Sequence, residues 1–168
     1  LARCFQEAGL PDGVLNVVFG HPADVSSHLL ASWIPRKVSF TGSTAVGKHL
    51  LRLSADTVKR CTMELGGHSP VVVFDDADVE KSIKLLSMTK YRNAGQVCIS
   101  PTRFYVQEGV YKAFVQGFTD YAKSLRVGNG LEDGVQMGPM IGPRRLDAMD
   151  EFVTDAVSRG GKLEAGGE

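Results

Sequence analysis

Three short stretches of the sequence combine residue types that do chemistry with a spacing that sets them at the ends of regular elements. The first is Asn93-Ala94-Gly95-Gln96-Val97-Cys98-Ile99-Ser100. A cysteine in a small polar loop between a helix and a strand can sit near several backbone N–H groups, which favour its anionic, nucleophilic form. The plainer alternative is an inert small hydrophobe, the reading given to Cys4 on a helix and Cys61 within a strand. A thiol protease would need a histidine base, but His21, His28, His49 and His68 stand outside any thiol-protease signature. Those histidines also lack metal-ligand spacing, so no metal site is expected.

The second stretch is Met63-Glu64-Leu65-Gly66-Gly67. A carboxylate at the C-terminal end of an apolar strand lies where α/β sheets hold ligands, and it can serve as a general base. It can equally be a strand-end glutamate reaching water, with the glycines making a turn. The third stretch is Phe40-Thr41-Gly42-Ser43-Thr44-Ala45-Val46-Gly47-Lys48, where a strand passes into a helix through glycines. Free N–H groups and the positive dipole end of a helix make such a turn a cradle for phosphate. Glycine and serine also suit any tight strand-to-helix turn. Gly42 and Gly47-Lys48 fall at the spacing of a nucleoside-triphosphate P-loop, and Val71-Val72-Val73-Phe74-Asp75 has the form of its acidic strand. His49, however, stands where a Ser or Thr hydroxyl must hold Mg²⁺. A P-loop-like nucleotide-phosphate-binding protein is therefore kept as the alternative.

The elements that must position these stretches follow from periodicity and punctuation. A first helix runs into Gly9, and an apolar strand is expected at residues 14–19, closed by Gly20. Residues 23–32 read as a helix, 37–40 as a strand, and 44–55 as a helix striped by Val46, Leu50, Leu51 and Leu53. Residues 58–65 form a strand broken by Gly66-Gly67, and 70–74 read as a buried parallel strand. Val79, Ile83, Leu86 and Lys90 mark a helix that Asp75-Asp76-Ala77-Asp78 would cap. A strand at 103–107 precedes a helix carrying Val110, Phe114, Phe118, Tyr121 and Leu125, with Gly128-Asn129-Gly130 as its stop. A Gly/Pro-rich connection at 129–143 leads to a last helix through Leu146, Met149, Phe152, Val153 and Val157. Trp33, Phe114, Tyr121 and the methionines are expected in the core. Alternating strands and helices give an α/β fold of parallel sheets with flanking helices.

Composition narrows the function further. The 168 residues carry 19 Lys+Arg against 19 Asp+Glu, with 43% hydrophobic and 23% charged side chains, so the chain is globular and lacks the field that draws polyanions. Neither nucleic acid nor an anionic membrane is expected as a partner. The longest apolar run, Val71 to Phe74, is far shorter than the roughly 20 residues that span a bilayer. Three cysteines without a C-x-x-C pair indicate a reducing compartment, and the cytoplasm is the expected location. A start inside a helix and a stop on Gly166-Gly167-Glu168 lead us to expect a piece of a longer polypeptide.

Taken together, Phe40-Thr41-Gly42-Ser43-Thr44-x-x-Gly47, Glu64-Leu65-Gly66-Gly67 and Gly95-Gln96-x-Cys98, in this order, resemble the aldehyde dehydrogenase superfamily. The resemblance runs from Leu10-Pro11-Asp12-Gly13 to the final glycines. Asp75-Asp76-Ala77-Asp78 and Tyr91-Arg92-Asn93-Ala94-Gly95-Gln96-Val97-Cys98 are most similar to succinate-semialdehyde dehydrogenases. It implies that residues 1–65 are the C-terminal part of a Rossmann-like NAD(P)-binding domain and 66–168 the N-terminal part of an α/β catalytic domain.

The resemblance also implies roles. Cys98 takes the place of the nucleophile and Glu64 that of the general base. Gly42, Ser43, Thr44 and Gly47 become cofactor-binding candidates for NAD or NADP, and the carbonyl of Leu65 falls where the family holds the nicotinamide carboxamide. The substrate would be a small-molecule aldehyde, and the full-length form a homodimer or homotetramer. The family's oxyanion-hole amide and its adenine-ribose lysine would precede Leu1, so this chain alone is expected to be inactive. His68 and Ser100 depart from the residues usual at their positions. A non-catalytic α/β domain that kept the scaffold is the remaining alternative.

Overall fold

A computed structural model describes residues 1–167 and divides the chain into two compact units, Leu1–Gly66 and Gly67–Glu168. In the first unit, helix α1 (Ala2–Glu7) ends before Gly9, whose φ of 87° needs a residue without Cβ. Helix α2 (Pro22–Ala31) is followed by strand β1 (Lys37–Gly42), helix α3 (Thr44–Ala55) and strand β2 (Arg60–Leu65). β1 and β2 pair in parallel, and α3 is the crossover between them.

Local chemistry explains the bounds of α3. The Ser43 hydroxyl accepts the N–H of Val46 at 3.3 Å, satisfying one orphan donor of the first turn. At the other end Val58 takes a φ of 48°, rare for a β-branched residue, and turns the chain back toward the sheet. That turn shortens the strand expected at 58–65 to β2. Leu30 of α2 and Leu50 of α3 are the buried apolar centre of this unit. Lys59 is also buried in this unit and donates Nζ to the Ser32 carbonyl at 2.6 Å, so its charge is not stranded.

The strand expected at residues 14–19 does not form. A strand needs a ladder partner, and no described segment pairs with this one; Phe19 is left 94% exposed.

The second unit repeats the crossover. Strand β3 (Ser69–Val73), helix α4 (Val79–Tyr91), a 3₁₀ segment (Arg92–Gly95) and strand β4 (Pro101–Val106) lead into helix α5 (Glu108–Ser124), and helix α6 (Pro143–Ser158) follows. β3 and β4 are parallel, with a register shift between Ser69 and Pro70. Asp78 caps α4 by accepting the Lys81 N–H at 3.0 Å, as the acidic run predicts. α5 stops at Ser124, before the glycines expected to end it, and the backbone then forms a bridge between Val127 and Met137.

Packing in this unit centres on Phe114, only 3% exposed. Its ring lies 5.5 Å from Phe118 and 6.0 Å from Phe104, tying α5 to β4. Tyr91 extends the cluster to Phe118 and Tyr121. β3 is less buried than a continuous apolar run predicts: Val73 is covered but Val72 and Phe74 are exposed. Trp33 at 66% and Met88 at 58% are likewise exposed rather than in the core.

Candidate active site

Parallel pairing brings the first group of candidates together. β1 and β2 end level with one another, Thr41 opposite Glu64 and Gly42 opposite Leu65, so both strands deliver their C-terminal residues to one edge. Ser43 and Thr44 open α3 at that same edge, and Gly42, Ser43, Thr44 and Glu64 are all exposed there. The N–H groups of Thr44 and Ala45 precede the first helical hydrogen bond and face outward as donors. Gly47, one turn further, is buried against Leu65: a Cβ there would stand 2.7 Å from Leu65 Cδ2. A Cβ added at Gly66 would meet nothing within 4 Å, so the space beside the strand end is open. Outward donors, a positive helix end and open space fit the phosphate and amide groups of a dinucleotide.

This geometry removes the P-loop alternative. A P-loop keeps an extended loop between its first glycine and its Gly-Lys pair, whose N–H groups wrap the phosphates. Here a single residue, Ser43, separates β1 from α3, and Gly47-Lys48 lie inside the helix with their N–H groups committed to it; Gly47 N–H donates to the Ser43 carbonyl at 2.9 Å.

Cys98 belongs to the second unit, in a turn closed by the Ser100 N–H donating to the Val97 carbonyl at 2.9 Å. The thiol-bearing residue is exposed. Its backbone N–H is not engaged by any described residue and is free to donate. Cys61 is half-buried in β2 with its Sγ 3.5 Å from the Lys59 carbonyl, whereas Cys4 is exposed on α1. The expectation that Cys4 packs as a small hydrophobe is thus not met.

What precedes Cys98 has no counterpart in the periodicity. Asn93, Ala94 and Gly95 are three successive left-handed residues, at φ of 52°, 54° and 75°. Side chains brace them: Asn93 Nδ2 donates to the Gln96 carbonyl at 3.1 Å and Gln96 Nε2 to the Asn93 carbonyl at 3.0 Å. Lys90 spans the loop, its Nζ donating to the Pro101 carbonyl at 2.8 Å. Burial lowers the Lys90 pKa from its ordinary value. Sequence reasoning passed over Lys90, Asn93 and Gln96 as functional residues; two amides flanking a glycine are the signal of a braced turn.

Residues 1–168 match the profile of the Aldehyde dehydrogenase family. The succinate-semialdehyde dehydrogenase, mitochondrial, of Oryza sativa subsp. japonica is 45% identical over 162 residues, covering 96% of this chain and 31% of that protein. The glutarate-semialdehyde dehydrogenase of Pseudomonas putida is 42% identical over 168 residues, covering all of this chain and 35% of that protein. Among solved structures, succinate-semialdehyde dehydrogenase from Burkholderia pseudomallei superimposes with a TM-score of 0.96 at 42% identity, covering 99% of this chain and 35% of that one. The chain spans about a third of the length of the curated relatives it matches.

Proposed function

The chain belongs to the aldehyde dehydrogenase family, and we propose that it carries the nucleophile and general base of an NAD(P)-dependent oxidation of a small aldehyde, a semialdehyde, to the carboxylic acid. The semialdehyde assignment draws on relatives acting on succinate and glutarate semialdehydes. What carries the reading is the exposed Cys98 in its braced turn, within a chain matching the family over its whole length.

Cys98 Sγ, as thiolate, adds to the carbonyl carbon; a C–S bond forms and the carbonyl oxygen becomes an oxyanion. The free N–H of Cys98 donates one hydrogen bond to that oxygen, an interaction that in a preorganised site is worth about 3 kcal/mol. NAD(P)⁺, when bound, supplies the acceptor for the hydride that leaves the thiohemiacetal carbon. Cys98 is then a thioester. Glu64 takes a proton from a water whose oxygen attacks the acyl carbon, the C–S bond breaks, and the thiolate is restored as the acid departs. Gly42, Ser43, Thr44 and Gly47 would hold the cofactor at the N-terminus of α3, with the Leu65 carbonyl accepting from its carboxamide. Residues 1–65 would then belong to the cofactor domain and 66–168 to the catalytic domain. We further assign a homodimer or homotetramer, and a reducing, cytoplasmic setting consistent with three free cysteines.

Glu64→Gln in the complete enzyme tests the roles together. Mixing it with aldehyde and NAD(P)⁺ should leave an acyl group on the Cys98 peptide, read by mass spectrometry. An acyl group on Cys4 or Cys61, or none at all, would overturn the assignment.

A further inference from the structure

The left-handed run before Cys98 needs a restraint from outside itself, since Asn93 and Ala94 hold a conformation that L-residues rarely adopt. Hydrogen bonds within the loop join Asn93 to Gln96 but leave the pair free to move as one body. Among the described residues, the only side-chain link from this pair to a distant part of its unit is Gln96 Oε1, which accepts the backbone N–H of Ile141 at 3.2 Å, across 45 positions of sequence. Ile141 lies in the Gly138-Pro139-Met140-Ile141-Gly142 segment just before α6. One amide thus uses both ends. Its Nε2 holds the turn through the Asn93 carbonyl at 3.0 Å, and its oxygen ties that turn to the segment at 138–142.

We infer that Gln96 is a positioning residue for the nucleophile: its side-chain amide straps the left-handed turn to the Ile141 backbone and so sets where Cys98 Sγ stands. The inference rests on the Cys98 nucleophile proposed above. Only a side chain with a donor and an acceptor on one carbon serves both partners. Glutamate keeps the acceptor for Ile141 and loses the donor for Asn93, while methionine keeps the length and loses both.

Gln96→Glu, Gln96→Met and Cys98→Ser in the complete enzyme test this together. A nucleophile displaced by about 1 Å loses on the order of 100-fold in rate, so kcat should fall in the order parent, Glu, Met, with KM for NAD(P)⁺ unchanged. Iodoacetamide labelling of Cys98, followed against pH, should show a changed profile in the Met variant and an intermediate one in the Glu variant. Parental kcat and labelling in Gln96→Met, or identical losses in Met and Glu, would overturn the inference while leaving Cys98→Ser inactive and the underlying reading intact. Activity retained by Cys98→Ser would overturn the reading, and the inference with it. Should the Met variant not fold, the Glu variant decides alone: slowed kcat and altered labelling support the strap, and parental values overturn it.

Discussion

Gly47 of α3 and Leu65 of β2 touch across the crossover, so closely that a Cβ at position 47 would stand 2.7 Å from Leu65 Cδ2. The glycine is there to let helix and strand end approach, and the side chain it admits belongs to the residue whose carbonyl we assign to the cofactor. Gly47→Ala sets two effects against each other. Alanine gains about 0.5–1 kcal/mol inside a helix, and turning Leu65 off its rotamer costs about 0.5–1.5 kcal/mol. The expected result is a melting temperature close to the parent with NAD(P)⁺ binding weakened about three- to tenfold, read by calorimetric titration. Unchanged affinity would separate Leu65 from the cofactor.

Ser43 and Asp78 cap two helices by the same device, accepting from Val46 at 3.3 Å and from Lys81 at 3.0 Å. Either residue changed to Ala should lose about 1 kcal/mol of stability, a fall of about 2–4 °C in Tm. Only Ser43→Ala should also weaken NAD(P)⁺ binding. Equal effects of the two variants on affinity would remove the N-terminus of α3 from the cofactor site.

The left-handed turn gives a pair of opposite signs. Gly95 sits at a φ of 75° with its nearest neighbours at 3.5 Å or more, so Gly95→Ala meets backbone strain rather than a clash and should cost about 1–2 kcal/mol. Ala94, at a φ of 54°, already bears that strain, and Ala94→Gly should be neutral or stabilising by up to about 1 kcal/mol. Urea unfolding checks both, and a destabilised Ala94→Gly would contradict the conformation.

Tyr91 predicts the alkaline limb of stability. Burial, and then the charge that Tyr121 would carry, raise its phenol pKa above 10.0. The folded state therefore keeps this proton longer than the unfolded chain does. The resulting stability is fully present below the unfolded value and is lost as pH rises from there through the folded value. Tyr91→Phe should lose less stability than the parent between about pH 9 and 11 in urea titrations. Parallel losses in the two proteins would refute the raised pKa of this half-buried phenol.

Elements that depend on near neighbours are legible in the sequence. Ser43 and the Asp75–Asp78 run announce the starts of α3 and α4 because a cap is a contact over three residues. Apolar residues 14–19 announce a strand that does not form, because a ladder depends on a partner remote in sequence. The turn at Val58 and the left-handed Ala94 were invisible for another reason: valine and alanine disfavour that conformation, so their residue types carry no signal of it. That the strand ends from Gly42 to Leu65 share one edge could be read from the alternation of strand and helix, because parallel strands joined by one crossover end on the same side. The bond from Gln96 could not, since its partner Ile141 lies 45 positions away.

The most direct measurement is aldehyde-dependent NAD(P)H formation by the Cys98→Ser variant of the complete enzyme, beside its affinity for NAD(P)⁺. A serine hydroxyl is far less nucleophilic than a thiolate near neutral pH, so oxidation should vanish while the cofactor binds as it does to the parent. Aldehyde oxidation at the parental rate in that variant would contradict the assignment of Cys98 as the group that bonds to the substrate.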